Sequence, residues 1–307
     1  MPRVIDPELV EATGAEACTL GECIAALEAG GFDPLDEASL LHAARWLRRL
    51  GDNRDFLADL LLAELKERHR DDGSVTAYGP QVVMLSPIGG EFFLRANIWP
   101  SPDEHLFRAS GGGAFVYGLP HDHNFDFLAL GYFGPGYWSD YWEYDFERVA
   151  GAIGEPAGLR FVGRSRLEPG KLLHYRAHRD VHAQFPPEAL SVSLNVMHAS
   201  GAQGWLDQYR FDVERNTIAG VLSAGASEVF LRIAVGLGGA EARDLAETFA
   251  RTHPSDRMRL TALEAQAAVL GPAARDDLWR RAEGSGCRLV ALEARRRRNL
   301  AKTYIPY

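Results

Sequence analysis

Between residues 81 and 212 the hydrophobic spacing of this chain switches from a helical period to a period of two, and it switches back afterwards. In Glu91–Trp99, Phe92, Leu94, Ala96 and Ile98 fall on one face, and Phe93, Arg95, Asn97 and Trp99 on the other. Further strands are expected along 120–133, from Tyr141 to Asp145, and near 159–168, 171–175, 180–184, 190–197 and 205–212. Gly and Pro turns separate them, and about ten short strands of this kind are what a double-sheet barrel requires. The spacing therefore predicts a mainly β chain with helical flanks: a helical segment over 1–75, an antiparallel double-sheet β-barrel over 76–212 and a helical region over 213–307. Alternating βαβ units are excluded from the middle.

The N-terminal flank carries its own punctuation. Thr19 and Glu22 have capping-box spacing ahead of the apolar run Cys23 to Leu27. Asp36 is placed to cap a helix bearing Leu40, Leu41, Ala44 and Leu47, with Gly51 as its stop. A second helix after Asp52 presents Phe56, Leu57, Leu60, Leu61 and Leu65, and should end at Asp71-Asp72-Gly73. These stripes are expected to cover the barrel or a second subunit. Beyond Asp212, helices are expected over 227–235, 240–252, 255–270, 273–282 and 287–301, broken by Gly and Pro and serving as a lid or a homodimer contact.

Charge and composition narrow the function. A net charge of −9 argues against a general nucleic-acid binder. The one dense basic cluster, Arg295 to Arg298, reads as a solvated helix C-terminus. No apolar run approaches membrane-spanning length, and Met1 to Glu8 lacks a signal-peptide core. Cys18, Cys23 and Cys287 form no C-x-x-C pair, so a reduced, cytoplasmic compartment is expected. Gly111-Gly112-Gly113 has neither the Lys-Ser/Thr nor the helix of a phosphate loop, and is expected to be a mobile loop at a pocket mouth. The aromatic stretch 131–145 should divide between core and one or two rings lining a pocket for a hydrophobic or aromatic substrate.

Two segments hold the chemistry. Pro120-His121-Asp122-His123 places two imidazoles on one side of an extended segment. Further on, Pro169-Gly170 leads through an apolar strand start to His182, thirteen residues beyond the proline. Together the segments resemble the cupin superfamily, small antiparallel barrels with metal sites inside, over about residues 80–212. Cupins carry an H-x-H on one strand and a last His about a dozen residues past a Pro-Gly turn. Their usual Glu would fall at Phe127 or Leu128, so the resemblance is to the three-His subset, of which thiol dioxygenases such as cysteine dioxygenase are members. Strand 190–197 is similar to one of theirs, with Asn195 and Met197 where that pattern has His and Tyr.

The resemblance implies a metal held by His121, His123 and His182: Fe(II) first, with Zn, Mn or Ni as other candidates. It implies oxygenation of a small-molecule substrate with O2 as co-substrate. Arg95 is a candidate partner for a substrate carboxylate, and Ser193 and Asn195 are candidates on the inward face of their strand. That face has a rival reading, in which Ser191, Ser193 and Asn195 meet solvent and Val192, Leu194 and Val196 form the core. Other ligand sets compete. His174, His178 and His182 recur every four residues and would share a helix face, although Pro169-Gly170 favours strand–loop–strand. His178-Arg179-Asp180 has the H-x-D spacing that opens a 2-oxoglutarate oxygenase triad, with His198 as the distal His. His42, His69, His105 and His253 are expected on the surface or in loops. Three classes stay open: an Fe(II) dioxygenase, a non-redox metal cupin (isomerase, lyase or hydrolase), and a non-catalytic binding scaffold.

Overall fold

The computed structural model describes residues 1–10, 16–68 and 81–303. His69 and the helix end expected at Asp71-Asp72-Gly73 lie outside the described residues. The chain divides into two compact units, Met1–Tyr144 with Leu159–Ser200, and Asp145–Gly158 with Gly201–Tyr307.

The first unit opens with β1 (Arg3–Val4), α1 (Pro7–Val10), α2 (Leu20–Gly30), α3 (Glu37–Asp52) and α4 (Phe56–Arg68). The expected caps form. Thr19 Oγ1 accepts from the Glu22 amide at 3.2 Å while Glu22 accepts from the Thr19 amide at 2.8 Å. Asp36 accepts from the Ser39 amide at 2.8 Å. Gly51 is not the helix stop. α3 runs on to Asp52, and Gly51 is buried where a β-carbon would strike the Leu130 side chain. A glycine is kept here so that helix and strand can approach closely.

The strands follow as β2 (Val82–Met84), β3 (Phe92–Trp99), β4 (Phe127–Phe133), β5 (Tyr137–Glu143), β6 (Arg160–Leu167), β7 (Leu172–Tyr175), β8 (Asp180–Gln184) and β9 (Ser191–His198). Every ladder is antiparallel. A six-stranded sheet runs β1-β7-β4-β9-β3-β2 and a three-stranded sheet runs β6-β5-β8. Isolated bridges link His121 to His182 and Gly131 to Pro169. Three expectations shift. The aromatic strand begins at Tyr137 rather than Tyr141. The Gly111–Gly113 segment is no open loop, because α5 (His105–Ser110) runs into a 3₁₀ turn over Gly112–Phe115. His121 and His123 precede β4 and lie on extended chain anchored by the isolated bridge.

The alternation of β3 and β9 now has a physical meaning, since both faces are covered. Leu94 and Ala96, with Val192, Leu194 and Val196, pack against Leu27, Leu40, Leu47 and Leu50 of the helices. Trp99 and Met197 pack on the opposite face with Tyr137, Tyr141 and Tyr175. Ser191, Ser193 and Asn195 are buried, so their face does not meet solvent. The N-terminal helices therefore cover one face of the large sheet, and aromatic side chains of both sheets pack on the other.

The second unit holds a β10 (Tyr209–Asp212) and β11 (Thr217–Val221) hairpin and the helices α6 (Ala226–Gly236), α7 (Ala240–Thr252), α8 (Asp256–Ala268), α9 (Pro272–Ala282) and α10 (Arg288–Thr303). Strand β11 falls where only helices were expected, and the strand expected from residue 205 is confined to β10. Leu263, Trp279, Leu289 and Val290 form a core of their own, which Leu260 joins. Ten α-helices stand beside eleven strands among the described residues, and the longest elements are helices. The chain is thus a mixed helix and antiparallel-sheet protein rather than a mainly β one. Among the described residues, no helix is long and apolar enough to cross a membrane.

Candidate metal centre

Strand pairing alone brings the three imidazoles together. His121 and His182 exchange both backbone hydrogen bonds, at 3.0 and 2.9 Å, which fixes the two Cα atoms opposite each other. His123 lies two residues on, its carbonyl accepting from the His178 amide at 2.8 Å. Candidate ligand nitrogens of His121, His123 and His182 all lie within 4.8 Å of one another, and all three residues are buried. Among the described residues this is the one such group of three. Asp122, between the two histidines, is fully buried and accepts from the Tyr144 hydroxyl at 2.5 Å, holding the intervening backbone.

The electrostatics keep these rings neutral. Burial lowers the His121 pKa, and burial together with the neighbouring imidazoles drives His123 and His182 well below the usual histidine range. His121 Nδ1 is 2.7 Å from the Leu119 carbonyl oxygen and donates to it, which leaves the Nε2 lone pair free. His123 Nε2 is 2.9 Å from His182 Nε2. Two nitrogens bound at about 2.1 Å to one divalent ion sit about 3.0 Å apart at a right angle and about 3.4 Å apart in a tetrahedron. The donor set, three neutral imidazoles in a buried and rigid frame, fits a first-row divalent metal. Aromatic rings close over it: Phe125 and Phe127 lie 5.0 and 4.9 Å from the His123 ring, and Tyr175 lies 4.9 Å from that of His182. Tyr175 and Tyr141 share a hydroxyl–hydroxyl bond of 3.0 Å.

Arg95 faces the same interior. Its Nε is sealed from solvent with no hydrogen-bond partner, and burial pushes its pKa down to about 10. Among the described residues no carboxylate forms an ion pair with it, and its charge helps depress the pKa of His123. Ser193 and Asn195 lie on this face but are committed to the frame. The Trp99 indole donates to Ser193 at 3.0 Å, Ser193 to Asn195 at 3.4 Å, and Asn195 to the Leu128 carbonyl at 3.4 Å.

The rival ligand sets do not assemble. His174 Nε2 is 3.0 Å from Asp126, and His178 occupies a left-handed turn between strands, so no helix aligns them with His182. Asp180 is buried in an ion pair with Arg176 at 2.6 Å, while His198 lies edge-on to Phe32. His42 is a half-buried helical residue whose Nε2 lies 3.1 Å from the Ala26 carbonyl, not a surface one. Cavities of about 550 and 690 Å³ in the second unit, and of about 510 Å³ in the first, are lined without any histidine. Gln184, two residues beyond His182 on β8, was not anticipated, although its i+2 spacing puts it on the same strand face as that ligand.

No protein-family model matches the chain, and no curated protein matches it in sequence. Solved structures do. Among them are a DMSP lyase from Ruegeria pomeroyi (12% identity over 42% of this chain and 54% of that one, TM-score 0.24) and a cupin protein from Bacteroides fragilis (12%, 42% and 86%, TM-score 0.24). Another is a hydroquinone 1,2-dioxygenase from Sphingomonas sp. TTNP3 (11%, 41% and 70%, TM-score 0.26). The structural neighbours are mostly cupin proteins. The chain spans about half of the first two solved chains that it matches, 44% and 54%. Likeness at this level bears on nothing finer, and the chemistry rests on this chain's own residues.

Proposed function

We propose that the chain is a metal-dependent, cupin-type enzyme whose two sheets close around His121, His123 and His182, which hold one divalent ion and act on a small anionic molecule. The observation that carries the reading is the convergence of three buried imidazoles, through backbone pairing, beside a cluster of aromatic side chains. Fe(II) and an oxygenase reaction are the preferred form, and a cytoplasmic setting suits the unpaired cysteines.

A divalent ion in this place supplies Lewis acidity and, as Fe(II), one-electron chemistry with O2. The chain's own groups do the rest. Bonding of His121 Nδ1–H to the Leu119 carbonyl aims Nε2 inward. Arg95, whose Nε is buried without a hydrogen-bond partner, receives a substrate carboxylate. Trp99, Tyr137 and Phe127 line the interior against solvent. Ser193 and Asn195, already bonded to each other, hold the floor of the site rather than the reacting atoms.

Oxygen uptake by Fe(II)-loaded protein, against a panel of small aromatic and aliphatic carboxylates, tests the reaction. Uptake stimulated by a member of the panel, and lost in Arg95→Met, is expected. Turnover of such a substrate by Zn-loaded protein without oxygen uptake would replace the oxygenase with a non-redox metal enzyme.

A further inference from the structure

Asn97 has an acceptor atom for which the fold has no use. The residue is 8% exposed, and its Oδ1 is buried with no hydrogen-bond partner. Two residues back along β3, Arg95 has the matching deficit, a buried Nε donor without a partner. The two do not satisfy each other. β3 is paired on both sides here: Arg95 lies opposite Met84 of β2 and Asn195 of β9, and Asn97 opposite Val82 and Ser193. Their Cα atoms are therefore held about 6.8 Å apart, with both side chains on one face, and neither backbone can shift to relieve the orphans. That face meets the three-stranded sheet. Trp99, next along it, packs on Tyr137 with ring centroids 4.2 Å apart, and the Arg95 charge depresses the pKa of His123. Gln184 of β8 adds a second lone acceptor. It is 5% exposed, its amide nitrogen lies against the His182 ring at 3.2 and 3.3 Å, and its Oε1 is buried without a partner.

Buried polar groups in folded proteins find partners, and those that the chain leaves unpaired mark where a ligand supplies them. Arg95 asks for an acceptor, and Asn97 and Gln184 ask for donors, so an unsubstituted carboxylate would leave the acceptors unpaired. Resting on the reading of Arg95 as the carboxylate partner, we propose that the substrate is a hydroxylated carboxylate, its carboxylate on Arg95 and a hydroxyl donating to Asn97 Oδ1. A hydroxyl is favoured over an ammonium because the site is already positive. Arg95 has no acid partner among the described residues, and the buried Asp122 and Asp180 are engaged by Tyr144 and Arg176. A neutral donor enters such a place at lower cost than a second cation.

Calorimetric titration of the full, Zn(II)-loaded chain with butanoate, its α-, β- and γ-hydroxy derivatives and γ-aminobutanoate reads the preference. At least one hydroxybutanoate is expected to bind about 10-fold more tightly than butanoate. Asn97→Leu keeps a side chain of similar size without the acceptor. It should bring that hydroxy acid down to the affinity of butanoate while leaving butanoate itself unchanged. Should the Leu variant fail to fold, Asn97→Asp supplies Arg95 with an acid of its own and should abolish binding of the whole series. Equal binding of butanoate and all its hydroxy derivatives, or a hydroxy preference that survives in Asn97→Leu, would overturn the proposal and leave the Arg95 reading standing. Tightest binding by γ-aminobutanoate would overturn the hydroxyl in favour of an amine. If no member of the series binds the wild-type chain, the Arg95 reading falls as well.

Discussion

Arg298 on α10 and Arg95 on β3 carry the same guanidinium into opposite surroundings. Arg298 donates to Asp276 at 3.0 Å and to Glu283 at 2.6 Å. Its neighbour Arg297 pairs with Glu264 and Glu293 and lies 4.9 Å over the Trp279 ring. In the basic cluster, expected as a solvated helix end, Arg295 and Arg296 are exposed, while Arg297 and Arg298 are drawn into a network with the second unit's own acids, Arg298 being 19% exposed. Arg95 has no such partner among the described residues. Paired arginines hold helices together, whereas the Arg95 Nε is buried with no hydrogen-bond partner, and the proposed role in binding a carboxylate rests on that difference.

Acid gives the largest way to break this comparison, because the interior of the first unit keeps its imidazoles neutral at a cost. Burial pushes His178 down to about 4, below its unfolded value of about 6.5. Below pH 6.5 the unfolded chain binds the proton and the folded one does not. The stability present above 6.5 is therefore lost as pH falls toward 4, by about 3 kcal/mol from this residue. In urea unfolding of the metal-free protein, His178→Asn should flatten that acid limb, asparagine being suited to the positive φ at this position. An unchanged limb would place the acid sensitivity elsewhere.

The next effect has the opposite sign. Arg95→Met removes a buried charge without a counter-ion and should raise stability by about 2 kcal/mol, while abolishing any thermal shift produced by small carboxylates. Loss of stability would mean that Arg95 is paired and structural, like Arg298. Smallest of all, Arg298→Ala should lower the melting midpoint only slightly and leave metal uptake unchanged, because surface networks contribute little per pair. A drop in metal uptake would contradict the division of roles.

How much of this was legible depended on whether the cause was local. Helix starts written in local chemistry were readable: the side chains of Thr19 and Asp36 cap their helices, and the helix expected from 273 begins one residue earlier at Pro272, whose missing amide costs nothing at a first turn. The two faces of β3 followed from alternation, and the three imidazoles from the spacing around Pro169-Gly170 together with the cupin resemblance. What failed was non-local. Gly51 reads as a helix stop until Leu130 is seen across from it. The run Thr217–Val221 is too short and too close to helices to announce a strand without β10 beside it. The period put Arg95 on the face with Trp99 but left open whether that face looked inward or outward, and its lack of an acid partner among the described residues depends on every other chain segment. Gln184 stayed hidden for the same reason, since an orphaned acceptor exists only once packing has closed around it.

The central claim is tested most directly by metal per chain after anaerobic loading with Fe(II), measured for the wild type and for five single variants. About one ion per wild-type chain is expected. His121→Ala, His123→Ala and His182→Ala should each lose most of it, because two imidazoles make a far weaker site. His174→Ala and His178→Ala should retain it, since the first is bonded to Asp126 and the second lies in a turn outside the cluster. Retention of iron by the first three variants, with its loss from the last two, would contradict the account.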